Sequence, residues 1–181
     1  LLEYKRRFVE YKRPWMPFED IEQLKGILVS YNAHYIMAGM IAGNVSADDS
    51  TYRKLASMLQ CIADDPVLRR RVHYITDYDE NLARVMSFGS DISVNVPVVG
   101  LEACGTSFMK DLANLALLVT TNDGGVADVA PPTTLLVSGD DYQEEVSSLY
   151  SRLRQAINIC RHDDRWSDAV ATTLAGYLTT I

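Results

Sequence analysis

The chain has 181 residues, 48% hydrophobic and 23% charged, with a net charge of −7. That is enough for one domain with a sizeable core, and the acidic balance argues against general nucleic-acid binding, which favours a basic surface. No apolar run approaches the roughly 20 residues of a membrane helix, the first residues are too charged for a signal peptide, and Cys61, Cys104 and Cys160 lack metal-type spacing, so free thiols in a reducing cytoplasm are expected.

Taken in order, the chain opens with a basic cluster: Lys5, Arg6, Arg7, Lys12 and Arg13. Pro14 and Pro17 break the chain, and a short helix is expected over residues 18–26, with acids in its first turn and Gly26 near its end. Residues 34–39 read as a buried strand. A loop through residues 43–47 leads to a long helix, roughly 48–62, whose stripe of Leu55, Met58, Leu59 and Ile62 is core. Asp64-Asp65-Pro66 opens a turn ending in the solvated Arg69, Arg70 and Arg71. Residues 72–75 form a strand with Thr76-Asp77-Tyr78 at its C-terminal end, where ligands bind in open α/β sheets. A helix over 80–88 and a strand over 91–95 follow.

The stretch from Leu101 to Lys110 concentrates the chemistry. Gly105 lets an anion approach the backbone, and Thr106 or Ser107 can cap the helix that begins there. Lys110 lies about one turn further on, placed to reach the same anion or to attack a carbonyl. Cys104 sits where a helix start lowers a thiol pKa, but no histidine is placed to activate it. The helix runs to about Asn114, a strand occupies residues 115–120, and Asn122-Asp123-Gly124-Gly125 is a tight turn with Asp123 as a turn residue. A strand over 133–137, a helix over 140–159 and a last helix over 166–178, capped by Asp163 or Asp164, complete the chain. Strands and helices alternate throughout. The expected fold is α/β: one Rossmann-like domain over residues 1–181, a doubly wound, mostly parallel sheet with helices on both faces.

Glu102-Ala103-Cys104-Gly105-Thr106-Ser107-Phe108-Met109-Lys110, followed by Asn114 and Asn122-Asp123-Gly124, resembles the E-A-S-G-T-x-x-M-K signature of the glycogen (α-glucan) phosphorylases. Arg6-Arg7-Phe8-Val9-Glu10-Tyr11-Lys12-Arg13 is similar to their K/R-R-x-x-E-Y-K-R segment. The resemblance implies the C-terminal half of a two-domain GT-B glycosyltransferase that moves a terminal α-1,4-linked glucose onto phosphate, giving glucose 1-phosphate. It implies that Lys110 binds pyridoxal phosphate, with Arg6, Tyr78, Thr106 and Ser107 around it. It implies that Arg7 and Lys12 hold the substrate phosphate as catalytic residues, and that Glu102, Ala103 and Gly105 hold the glucose. The expected partners are α-glucan, phosphate, glucose 1-phosphate, a missing N-terminal domain and a second copy in a homodimer, in the cytoplasm, with no membrane and no nucleic acid.

The chain departs from the family pattern at Met40, where a lysine is usual, at Gly43, where a proline is, and at Cys104, Phe108 and Leu115. A thiol is a weaker hydrogen-bonding group than the usual serine hydroxyl. These departures motivate a second reading, a phosphorylase-like binding or scaffold domain without catalysis. A third is a cofactor-free glycosyltransferase with a nucleotide-sugar donor, against which the Met109-Lys110 pair argues. The chain begins with leucine and is far shorter than family members, so it is expected to be a piece of a longer protein, inactive alone.

Overall fold

The computed structural model of the chain describes residues 1–41 and 49–180. Six strands form one sheet: β1 (Leu2–Lys5), β2 (Tyr35–Ala38), β3 (Val72–Ile75), β4 (Ile92–Asn95), β5 (Leu117–Thr121) and β6 (Leu135–Val137). Their order is β3-β2-β1-β4-β5-β6, and every pairing is parallel. This is the expected doubly wound arrangement. Its strand order reverses between β1 and β4, which opens a crevice at their carboxyl ends.

Successive strand residues face opposite sides, and here the two sides differ in chemistry. Leu2 and Tyr4 of β1, Ile92 and Val94 of β4, and Leu117 and Val119 of β5 join the main hydrophobic core. That core is closed by the helices α1 (Ile21–Ser30), α2 (Ser50–Asp64) and α7 (Tyr142–Arg161). The intervening residues Glu3, Lys5, Ser93, Asn95 and Thr120 are buried as well, but polar. Facing them is α5 (Ser107–Ala113), whose Phe108 and Leu112 form a second apolar cluster with Leu118 of β5 and Val126. Phe108, a departure from the family pattern, is thus a packing residue. The helices α3 (Leu68–Arg71), α4 (Glu80–Gly89), α6 (Gly125–Val129) and α8 (Asp163–Thr180) complete the chain. No helix among the described residues is long and apolar enough to cross a membrane.

Several expected boundaries move, each for a local reason. The first helix does not end near Gly26. A 3-10 turn takes Met16–Phe18, Asp20 caps α1 by accepting from the Gln23 N–H, and the apolar Ile27 and Leu28 carry the helix on to Ser30. Asp163 and Asp164 do not precede the last helix but lie in its first turn, because the Trp166 N–H bonds the His162 carbonyl at 2.8 Å. Leu115 is not in a strand. Its φ of +65° makes it a left-handed turn residue, and its N–H bonds the Leu112 carbonyl at 2.9 Å. The expected loop at residues 43–47, with Gly43, and the first residue of the expected helix at 48 lie outside the described residues.

Candidate functional site

The loops after β1 and β4 meet over the crevice at the strand-order reversal. After β1 the chain turns through a short 3-10 helix, Glu10–Lys12, and closes it with Arg13 in the left-handed conformation. Arg13 holds that turn against the loop after β4: its Nε donates to the Val96 carbonyl at 2.7 Å, and a terminal nitrogen donates to the Pro97 carbonyl at 2.9 Å. Its other terminal nitrogen pairs with Glu145 at the start of α7. Next to it, Lys12 Nζ pairs with Glu102 Oε2, joining residues 90 positions apart. Both side chains are almost wholly buried, so each charge relies on the other for solvation.

Glu102 is held by its own loop. Its N–H donates to Asp123 Oδ2 at 2.9 Å. Burial opposes ionisation of Asp123, yet the N–H groups of Glu102, Gly100, Gly124 and Leu101 outweigh it and hold the carboxyl below its usual range. Asp123 is therefore more than a turn residue: it anchors the loop that presents Glu102. Gly105 has φ +66°, and a Cβ there would lie 2.9 Å from Glu102 Cδ. Gly124 has φ +54°, and its Cβ would lie 2.7 Å from the Glu102 carbonyl oxygen. Both glycines are required by close approach to the same residue.

The other expected site residues divide between inside and outside. Arg6 turns inward: a terminal nitrogen lies 3.3 Å from Asp111 Oδ2 and 3.4 Å from Ser93 Oγ. Arg7 is exposed, and its carbonyl accepts from the Tyr4 hydroxyl at 3.2 Å. Tyr78 is partly buried, with its hydroxyl donating to the Lys5 carbonyl at 3.3 Å. Thr106 occupies the cap position of α5 but is in helical conformation and makes no side-chain cap bond. Thr106 and Ala103 are exposed, and Ser107 is half-buried. Met40 is also exposed, and its carbonyl accepts from the Phe8 N–H.

Lys110 is exposed on α5 and lines a cavity of about 510 Å³ with Glu80, Asn81, Arg84 and Ser87 of α4 and with Ala113 and Asn114. Its Nζ has no hydrogen bond or ion pair among the described residues. Its carbonyl accepts from Asn114 Nδ2 at 2.7 Å. The structure thus brings Lys12, Glu102 and Gly105 together, while the walls of the Lys110 cavity include none of the other expected site residues. Arg84 and Glu80, which do line it, are in sequence only part of the helix expected over 80–88. No local sequence signal marks them. A larger cavity, about 880 Å³, lies between Trp15, Phe18, Lys54 and Tyr142. Three of its acids already have partners: Glu10 with Lys54, Glu145 with Arg13, and Glu19 with the Tyr142 hydroxyl.

Beneath the crevice lies a cluster without a sequence signal. Asp111, the neighbour of Lys110, is fully buried, and its carboxylate accepts from Lys5 Nζ, Arg6, Ser93 Oγ at 2.6 Å and Ser87 Oγ at 3.3 Å. Glu3, also fully buried, pairs with Lys5. Its carboxyl is pushed up to about 7, first by burial and then by the Asp111 charge.

Comparison with known proteins accords with this architecture. A UDP-forming α,α-trehalose-phosphate synthase from Burkholderia xenovorans, solved in complex with glucose-6-phosphate, superposes on 99% of the chain with a TM-score of 0.69 at 10% identity, covering 40% of that protein. That likeness is one of fold. In sequence, a glycogen phosphorylase of Aquifex aeolicus is 36% identical over 121 residues, 67% of this chain and 17% of the relative. A glycogen phosphorylase of Mycobacterium tuberculosis is 28% identical over 94% of the chain and 21% of its own length. A maltodextrin phosphorylase of Thermococcus litoralis is 27% identical over 91% of the chain. The chain spans about a fifth of the length of these relatives. A family model described as carbohydrate phosphorylase matches residues 1–180, and with that match the chain belongs to the carbohydrate phosphorylase family.

Proposed function

We propose that this chain is the cofactor-bearing part of an α-glucan phosphorylase-type glycosyltransferase, one that transfers terminal α-1,4-linked glucose to phosphate and releases glucose 1-phosphate. The observation that carries the reading is the Lys12–Glu102 contact. It joins a cation suited to phosphate and a carboxylate suited to a sugar hydroxyl, at the crevice where open α/β sheets bind ligands.

The residues fit pyridoxal phosphate. Lys110 offers an exposed amine without a partner among the described residues, its cavity is within the size range of small-molecule sites, and Arg84 lies in the wall as a cation for a phosphate group. When bound, pyridoxal phosphate supplies a phosphate group able to exchange a proton with the substrate phosphate. The chain's own residues would do the rest. Arg7 and Lys12 would hold the substrate phosphate and stabilise the charge that develops on it. Glu102 would accept from a glucosyl hydroxyl, with Ala103 and Gly105 lining the sugar. Tyr78, Arg6, Thr106 and Ser107, which the resemblance would place around the cofactor, do not line this cavity.

The test is direct. Pyridoxal phosphate is added to the purified chain, its absorbance is recorded, and the product is reduced with borohydride and mapped. A covalent adduct at Lys110 is the expected result. A folded chain without it overturns the cofactor assignment. The second reading, a non-catalytic binding domain, is favoured by one observation: the two cations Arg6 and Lys12 are already paired with the chain's own acids Asp111 and Glu102. Phosphorolysis by the full-length protein separates the two readings.

A further inference from the structure

We propose that Asp111 is a positioning residue for Lys110: its buried carboxylate locks the helix that carries Lys110 to the strand that leads into Arg6. The proposal rests on the cofactor reading of Lys110 given above. Four elements converge on this one side chain. Lys5 comes from β1, Arg6 from the loop after it, Ser93 from β4, and Ser87 from α4. Ser87 also lines the Lys110 cavity, so one hydroxyl connects the cavity wall to the carboxylate.

Stability alone does not account for this cluster. Replacing buried ion pairs with apolar residues of similar size is often neutral or stabilising, and here the polar set is incomplete. Arg6 Nε and Glu3 Oε2 are buried without a hydrogen-bond partner. What the cluster does provide is directional restraint. A carboxylate held by four donors fixes both the position and the rotation of a short helix, which apolar contacts specify less sharply. The charged groups facing it are Lys5 and Arg6, with Glu3 paired to Lys5 beyond them; Glu80 and Arg84 of α4 lie in the Lys110 cavity with Lys110 itself. Asp111 therefore fixes the helix from which the Lys110 amine projects.

The experiment compares the unmodified chain with Asp111→Asn and with the double variant Lys5→Met/Asp111→Leu, which replaces the ion pair by apolar side chains. Each protein is titrated with pyridoxal phosphate. The readouts are the concentration for half-maximal trapping at Lys110 by borohydride, and the pH midpoint of the adduct's visible absorbance band. Both variants are expected to need about tenfold more pyridoxal phosphate, the scale on which supporting partners act, and to shift the pH midpoint. Loss of thermal stability with an unchanged midpoint and half-saturation marks a merely structural role and overturns the proposal while leaving the cofactor assignment standing. Should Asp111→Asn fail to fold, the double variant carries the comparison. A folded unmodified chain with no adduct at Lys110 overturns both.

Discussion

At the scale of single residues, the site depends on how Glu102 is held. Gly105→Ala forces a Cβ against the Glu102 carboxyl in a backbone region that L side chains rarely adopt. It is expected to destabilise the chain by about 1–3 kcal/mol, read by denaturant unfolding. Leu115 is the converse case: a leucine bears a φ of +65° in the turn between α5 and β5. Leu115→Gly relieves that cost and is expected to stabilise the chain by up to about 1 kcal/mol. Glu3 makes stability depend on pH. Its folded carboxyl titrates near 7, above the ordinary glutamate range, so the native state binds the proton more tightly than the unfolded one. Its contribution is complete in acid and is lost as pH rises through about 7, with a slope of at most about 1.4 kcal/mol per pH unit. Glu3→Gln removes that slope from a plot of unfolding free energy against pH; an unchanged slope would show that Glu3 is not its source. Asp123 acts in the opposite sense, with its stabilising effect lost in acid as the carboxyl is protonated.

At the scale of elements, helix starts follow local chemistry. Asp20, Asp49, Asp79 and Asp141 each cap a helix by accepting from N–H groups of the first turn. Asp79 caps α4, the wall of the Lys110 cavity, and Asp79→Ala is expected to cost about 1 kcal/mol. Arg13 works between elements. It ties the turn after β1 to the Val96 and Pro97 carbonyls and to Glu145 on α7. Arg13→Ala leaves buried acceptors unpaired and is expected to cost about 3 kcal/mol, by thermal or denaturant melting. Most of the elements were legible in advance because apolar periodicity and Gly or Pro breaks are local signals; β1, α6 and the four Asp caps were not. The errors fell where another force prevailed. Ile27 and Leu28 extended α1 through Gly26 because burying them outweighs the propensity cost of one glycine.

At the scale of the whole molecule, the doubly wound sheet places the crevice between the loops after β1 and β4. The isolated chain is expected to take up pyridoxal phosphate at Lys110 but to phosphorolyse glucan only within a longer protein, since it spans about a fifth of the relatives' length. Turnover by the chain alone would refute that division. By itself the sequence determined the strand–helix alternation, the positions of β2 to β6 to within about two residues, the family, and the amine-bearing helix, because these depend on periodicity and on motifs contiguous in the chain; β1, read only as part of a basic cluster, was not among them. Only the tertiary structure decided the strand order, the pairing of Lys12 with Glu102 across 90 positions, and the cluster in which Lys5 meets Asp111 across 106. Those contacts leave no local trace. A buried Glu3 or Asp111 reads in sequence as an ordinary solvated acid, and only the packing of four elements around one carboxylate makes it anything else.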